Sequence, residues 1–149
     1  MVSWLRKTAA GLAALAVLSG TAAAQVPDPF ARELAQRLAR EEAPLTENGY
    51  ARAAGPFAGG LPEQRGRRFT VMLRAGQDYR ILGVCDHRCG DLDLRVFAPS
   101  NQLIAQNVLN DAAPVIHVRP IATGNYDIEA VMASCADAPC WFASNVYSR

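Results

Sequence analysis

The chain has 149 residues, of which 15 are lysine or arginine and 14 are aspartate or glutamate, so its formal charge is +1 at pH 7. A charge this close to zero excludes the basic field that nucleic-acid binding needs, and we expect no nucleic-acid partner. The length of the chain suits one domain with one core.

The first 24 residues have the pattern of a secretory signal peptide. Arg6 and Lys7 form a positive start, residues 8–19 form a short apolar run, and alanine occupies positions 22–24. This order is typical of a leader that is removed on export. The run is shorter than the roughly 20 residues that span a bilayer, so we expect no stable membrane insertion. The mature chain, with 13 basic and 14 acidic side chains, is expected to be periplasmic or secreted.

Residues 25–45 are predicted to form an amphipathic helix ahead of the main domain. Asp28 and Pro29 suit a helix start, with a carboxylate at the N-cap and a proline at the first helical position. An apolar stripe with helical spacing runs from about residue 29 to 42. It consists of Phe30, Leu34 and Leu38. Pro44 is expected to end the helix.

A connector rich in glycine and alanine is expected over residues 46–66, with an edge strand near residues 57–61. Beyond it, apolar and polar residues alternate, which is typical of half-buried strands. Residues 79–84 are apolar enough for a central, fully buried strand. About seven or eight short strands separated by turn residues predict an all-β, jelly-roll-like sandwich over residues 67–149.

Four cysteines, Cys85, Cys89, Cys135 and Cys140, lie at the ends of strand-like runs. An even number of cysteines in an exported chain indicates disulfides. Three pairings are possible, and we favour the local pairs Cys85–Cys89 and Cys135–Cys140, because each brackets a short loop between two strands. A zinc site that includes His87 is the competing interpretation, which the unequal spacings and the oxidising compartment disfavour.

The acidic residues that suit a metal site are Asp86, Asp91, Asp93 and Asp111. Asp91 and Asp93 are two apart on a predicted strand, so both side chains lie on its polar face. Calcium prefers about six to eight oxygen ligands, and these carboxylates supply several of them. The alternative is that they are solvated or pair with neighbouring arginines. Calcium is the one cofactor that the sequence suggests.

No catalytic pattern stands out in the sequence. The Gly-x-Ser-x-Gly motif of serine hydrolases is absent, and His87 and His117 lie on separate predicted elements. We therefore predict a protein that is not an enzyme. A small hydrolase built from carboxylates on distant strands is the alternative.

Two further groups are candidate contact residues. Arg65, Arg67 and Arg68 precede the first clear strand and are typical of an edge that resists aggregation; anionic envelope polymers are an alternative ligand for them. Trp141 and Phe142 are adjacent on a predicted strand and face opposite sides, so we expect one in the core and the other exposed.

Two stretches carry a family resemblance. Residues 83–96 read GVCDHRCGDLDLRV, and residues 115–128 contain VIHVRP followed by TGNYDI. Over residues 66–149 they resemble the bacterial pre-peptidase C-terminal domain, in the form with cysteine pairs found in uncharacterised exported proteobacterial proteins. The resemblance implies a jelly-roll sandwich that accompanies secreted enzymes, binds surfaces and in some relatives binds calcium through acidic loop residues.

These patterns together predict an exported, non-catalytic binding or accessory module of the cell envelope. Its partner is expected to be an envelope polymer or another exported protein. One alternative is a structural protein that assembles through the N-terminal helix, and a second is the small hydrolase.

Overall fold

The computed structural model describes residues 25–149, so the predicted leader over residues 1–24 lies outside the described residues. In the described part of the chain, one helix is followed by eight strands. The elements are α1 (Asp28–Glu47), β1 (Ala51–Leu61), β2 (Arg65–Leu73), β3 (Tyr79–Cys85), β4 (Cys89–Phe97), β5 (Leu103–Asn107), β6 (Val115–Val118), β7 (Gly124–Cys135) and β8 (Cys140–Ser148).

The strands form two antiparallel sheets of four strands each. Sheet A has the order β1-β8-β3-β6, and sheet B has the order β2-β7-β4-β5. Apart from the β4–β5 hairpin, consecutive strands cross from one sheet to the other, which is the connectivity of an eight-stranded jelly roll. The predicted all-β sandwich with one helix is confirmed.

The main core lies between the two sheets and follows the alternation of side chains along each strand. In β4, Leu92, Leu94 and Val96 are fully buried, whereas Asp91 and Asp93 lie on the outer face. In sheet A, β3 is buried along nearly its whole length, since it is a central strand and α1 covers its outer face.

α1 packs on the outer face of sheet A, over β3 and β8. Leu34 and Leu38 are buried there against a second cluster, which includes Trp141 and Tyr147. Tyr147 Oη donates a hydrogen bond to Glu42 Oε2 at 2.6 Å. Burial raises the pKa of Tyr147 to about 12, and the Glu42 carboxylate adds to the shift. The helix is therefore a structural layer of the domain.

The helix was predicted to end at Pro44, but it continues for a further turn, to Glu47. It also begins at Asp28 itself, so Asp28 lies in the first turn and not at the N-cap. The proline is tolerated because Leu45 packs into the cluster beneath the helix and Asn48 donates to the Pro44 carbonyl from both its backbone and its side chain. Gly49, with φ of 82°, then turns the chain.

The prediction of a connector over residues 46–66 is wrong, because most of that segment is strand. β1 pairs with β8, and residues 57–61 are only the second half of this edge strand. Its glycines permit close packing: a Cβ on Gly60 would lie 2.9 Å from the Trp141 ring, and one on Gly55 would lie 2.5 Å from Asn145 Oδ1. The small residues therefore reflect the approach of β1 to β8 and not a loose chain.

Trp141 and Phe142 face opposite sides of β8, as predicted, but neither is exposed. Phe142 is 1% exposed and lies between the sheets, whereas Trp141 is 9% exposed and lies beneath α1. The Trp141 ring centroid is 6.2 Å from that of Phe30. The helix covers the face on which an exposed aromatic contact was expected.

Candidate functional site

Both favoured disulfides are present, and both join sheet A to sheet B at the same end of the sandwich. Cys85 ends β3 and bonds to Cys89 at the start of β4. Cys135 ends β7 and bonds to Cys140 at the start of β8. Cys89 and Cys135 are register neighbours, so the two disulfides lie side by side. No cysteine among residues 25–149 is free, which contradicts the zinc interpretation.

Asp86, one of the four calcium candidates, is fully buried in the loop that the first disulfide closes. Its Oδ1 accepts hydrogen bonds from Arg88 N at 2.8 Å and Arg88 Nε at 3.2 Å. Its Oδ2 accepts from Trp141 N at 2.6 Å and Arg88 Nη2 at 3.1 Å. Burial alone would raise the pKa of Asp86, but the hydrogen bonds from Arg88 and Trp141 outweigh it and lower that pKa. Asp86 therefore ties the disulfide loop to β8.

The other three calcium candidates, Asp91, Asp93 and Asp111, are near enough for their charges to interact. Asp91 Oδ1 accepts the backbone N–H of Asp111 at 3.2 Å. Burial raises the pKa of Asp93, and the negative charges of Asp91 and Asp111 raise it further, against the attraction of Arg95. Among residues 25–149, no three His, Cys, Asp or Glu side chains converge in the way that holds a metal ion. Calcium binding by the three aspartates stays a prediction.

Thermal melts of the protein over residues 25–149 test this calcium prediction with a matched variant. In EDTA, we expect Asp93→Asn to melt at or above the temperature of the parent, because the substitution removes one of three repelling charges. Calcium bound by the three carboxylates would raise the parent's free energy of unfolding by about 2.7 kcal/mol at a hundredfold excess over Kd. The free energy of unfolding of Asp93→Asn should not rise when calcium is added. Superimposed parent curves in calcium and EDTA would rule out the site.

Each histidine pairs with a carboxylate, at opposite ends of the sandwich. His87 Nδ1 is 2.9 Å from Glu33 Oε2, and its ring stacks on Phe30 with centroids 6.3 Å apart. This pair fastens the start of α1 to the first disulfide loop. His117 Nε2 on β6 is 3.3 Å from Asp78 Oδ1, and the hydrogen bond from His117 lowers the pKa of Asp78.

The basic run of β2 does not form one patch. Arg68 Nε is 3.2 Å from Glu129 Oε1, and the Arg68 guanidinium lies 3.8 Å above the Phe97 ring on the outer face of sheet B. Arg65 and Arg67 are exposed and project from the opposite face of the strand. The three arginines are thus divided between two faces of β2.

Exposed hydrophobic side chains are concentrated along β5, β6 and the loops beside them. Seven large hydrophobic side chains of the described residues are exposed, and all except Met72 belong to residues 103–121. β5 is a terminal strand of sheet B and β6 a terminal strand of sheet A, and the two strands are in contact, so one edge of each sheet lies on this side. We name this surface the apolar side. Its exposed members are Leu103, Ile104, Val108, Leu109, Val115 and Ile121.

A groove of about 570 Å³ opens into the apolar side. It lies beyond the end of β4 and beside the start of β7, at the end of the sandwich opposite the disulfides. Its lining is largely apolar, includes His117 and Arg119, and contains no carboxylate. Ligand sites are commonly concave, mostly apolar and about 300–1,000 Å³ in volume, with a few polar groups that set orientation.

This surface was not among the predicted contact residues, although the sequence contains a signal for it. Residues 98–118 contain a single acid, Asp111, and no lysine, arginine or glutamate. Apolar runs of this kind predict strands, and strands are present here. Whether their side chains are buried depends on where the strands lie in the sheets, and β5 and β6 lie at the edges.

The chain matches no protein-family model and no curated protein sequence. The resemblance to the pre-peptidase C-terminal domain therefore stays a prediction. Within residues 25–149, no helix combines the length and the apolar character that crossing a bilayer requires. The two disulfides are typical of an oxidising, extracytoplasmic compartment.

Proposed function

We propose that the protein is an exported, non-catalytic binding module whose apolar side captures an apolar segment of another exported protein. One observation carries the proposal: six of the seven exposed large hydrophobic side chains of residues 25–149 belong to residues 103–121. Burial against a partner would stabilise the complex by about 1.5–3 kcal/mol for each such side chain that becomes fully buried. Exposed apolar patches on soluble domains commonly mark such contacts.

The edges of both sheets support the same partner class. β5 and β6 are terminal strands, so each has one side whose backbone groups are outside the ladder. A protein segment can pair with such an edge and bury its apolar side chains at the same time. The leader pattern of residues 1–24 and the two disulfides support export.

Assembly through the N-terminal helix has less support, because the apolar stripe of α1 is already used within the domain. Leu34 is 3% exposed and Leu38 is 8% exposed. A partner that docked on α1 would meet its polar face. The helix is better explained as the layer that covers sheet A.

An anionic envelope polymer is also less favoured as the partner. Such a polymer needs several arginines that act together. Arg68 is already paired with Glu129 at 3.2 Å, and Arg65 and Arg67 project from the other face of β2. The exposed apolar side chains match the surface of a protein better than that of a charged polymer.

A pair of matched substitutions tests the proposal. Ile121 is 99% exposed and Met72 is 57% exposed, so neither Ile121→Asp nor Met72→Asp disturbs the core. Tagged exported protein is incubated with envelope extract under oxidising conditions, crosslinked, and its partners are identified by mass spectrometry. We expect one dominant protein partner, captured at least about tenfold less by Ile121→Asp, because the partner would have to pack a charged carboxylate where Ile121 offers apolar surface.

Met72→Asp adds the same charge away from residues 103–121 and is expected to capture the partner like the parent. Equal capture by the two variants would contradict a contact on the apolar side. Retention on purified envelope glycan with no protein enriched would contradict the protein partner and favour a polymer.

A further inference from the structure

We infer that the groove accepts an extended peptide segment with apolar and acidic residues, which pairs with the free edge of β6 and places a carboxylate against Arg119. The inference rests on the proposed function, because it names the kind of segment that the apolar side captures. It combines three features of the groove: a backbone edge, an apolar wall and a fixed positive charge.

The backbone edge belongs to β6. Gly83 N donates to the Pro114 carbonyl at 2.9 Å, where the β3–β6 ladder begins. Along a strand of an antiparallel ladder, the backbone N–H and C=O groups of one residue bond the partner strand, and those of the next residue point away from it. The backbone groups of Val115 and His117 therefore point away from β3. The Val115 carbonyl accepts Asn107 Nδ2 at 3.2 Å, which leaves the backbone of His117 for an added strand.

The apolar wall lies directly beside this edge. Ile104 of β5 and Val118 of β6 line the groove, together with the ring of Tyr126. Tyr126 is 2% exposed and donates Oη to the Ala122 carbonyl at 2.7 Å, so it lies beneath the groove as its floor. Ile104, 41% exposed, and Ile121, 99% exposed, supply the accessible apolar surface of the wall. Because side chains alternate along a strand, every second residue of an added peptide would face this wall.

Arg119 supplies the positive charge. Its Nε donates to the Gly76 carbonyl at 3.0 Å, which fixes the guanidinium. The charge of Arg119 helps to lower the pKa of Asp78, but the Asp78 carboxylate forms its ion pairs with His117 at 3.3 Å and Arg149 at 3.9 Å. Within residues 25–149, the Nη groups of Arg119 form no ion pair, and no carboxylate lines the groove. A guanidinium presents two parallel donors that match a carboxylate.

Two labelled peptides test the inference by fluorescence anisotropy with the exported protein. Both are N-acetylated, C-amidated nonapeptides of alternating valine and threonine; one has glutamate at its centre and the other has glutamine. We expect the glutamate peptide to bind at least about tenfold more tightly than the glutamine peptide, because its carboxylate can form a charged hydrogen-bonded pair with Arg119. Arg119→Gln should abolish the preference. Arg32→Gln, an equal charge change on the exposed face of α1, should retain it.

Equal binding of the two peptides, a preference that survives Arg119→Gln, or no binding of either peptide would overturn the inference. So would displacement of the glutamate peptide by decanoate at equal concentration, which would assign the groove to an acyl carboxylate. The proposed function fails separately, when Ile121→Asp captures the envelope partner as the parent does. Lost capture in Ile121→Asp together with equal peptide binding would leave the apolar side as a contact and remove only the acidic specificity.

Discussion

A variant that lacks α1 is expected to be insoluble or to lose its cooperative thermal transition, although all eight strands remain. The deletion uncovers Leu82, Val84, Trp141 and Tyr147 on the outer face of sheet A. Side chains of this kind each contribute roughly 1.5–3 kcal/mol when buried. Exposing four of them removes an amount comparable to the whole stability of a domain, about 5–15 kcal/mol. Circular-dichroism melts of residues 25–149 and of the variant without α1 measure the effect.

Two point variants in α1 keep this test informative if the deletion variant cannot be purified. Leu34→Ala is expected to cost about 2–5 kcal/mol, because it leaves a cavity beneath the helix. Arg32→Ala, on the exposed face, is expected to change stability by about 0.5 kcal/mol or less. If the variant without α1 melts like the parent, the interpretation of α1 as a structural layer of the fold would be contradicted. The alternative that the protein assembles with a partner through this helix would then be favoured.

Asp86→Asn is expected to lower the free energy of unfolding by about 3–5 kcal/mol at pH 7, because it leaves the Arg88 guanidinium without its buried partner. For a domain of this size, that loss lowers Tm by at least about 10 °C. The matched control is Asp137→Asn. Asp137 is 80% exposed and 3.6 Å from Arg88 Nη1, so its loss is expected to cost about 0–1 kcal/mol.

The effect of Asp86→Asn should depend on pH in a defined direction. The pKa of Asp86 is lower in the folded protein than its ordinary value of 3.8. A group with a depressed folded pKa contributes stability above the unfolded pKa and loses it as the pH falls through the folded one. The gap in Tm between the parent and Asp86→Asn should therefore be constant near neutrality and narrow below about pH 4. A gap that persists unchanged at pH 2.5 would contradict an ionised Asp86.

The strand pattern and the disulfides could be predicted because both depend on local sequence. Alternation along β4 places Leu92 and Leu94 in the core and Asp91 and Asp93 outside, and this holds in the sandwich. Short loops between strands bring Cys85 to Cys89 and Cys135 to Cys140 whatever the rest of the fold does.

The extent of α1 and β1 could not be predicted, because distant contacts decide it. Pro44 is a local stop signal, yet packing of Leu45 and hydrogen bonds from Asn48 carry the helix past it. Gly60 indicates flexibility by composition, yet the Trp141 ring, 81 positions later, requires a residue without a side chain there.

The roles of Asp86 and of the apolar side were hidden for the same reason. A carboxylate beside a cysteine pair looks like a loop ligand until the backbone N–H of Trp141 is placed on it at 2.6 Å. Ile104 and Val115 look like core residues until their strands are placed at the sheet edges. Alternation predicts which face a side chain lies on, and the strand order decides whether that position is covered.

Site-specific photo-crosslinking in the cell envelope tests most directly whether the apolar side holds an exported partner. A photoreactive residue replaces Leu109, Ile121 or Met72, which are 69%, 99% and 57% exposed. We predict that positions 109 and 121 yield the same protein adduct by mass spectrometry and that position 72 does not. An adduct formed from position 72 with none from 109 or 121 would contradict a partner on the apolar side.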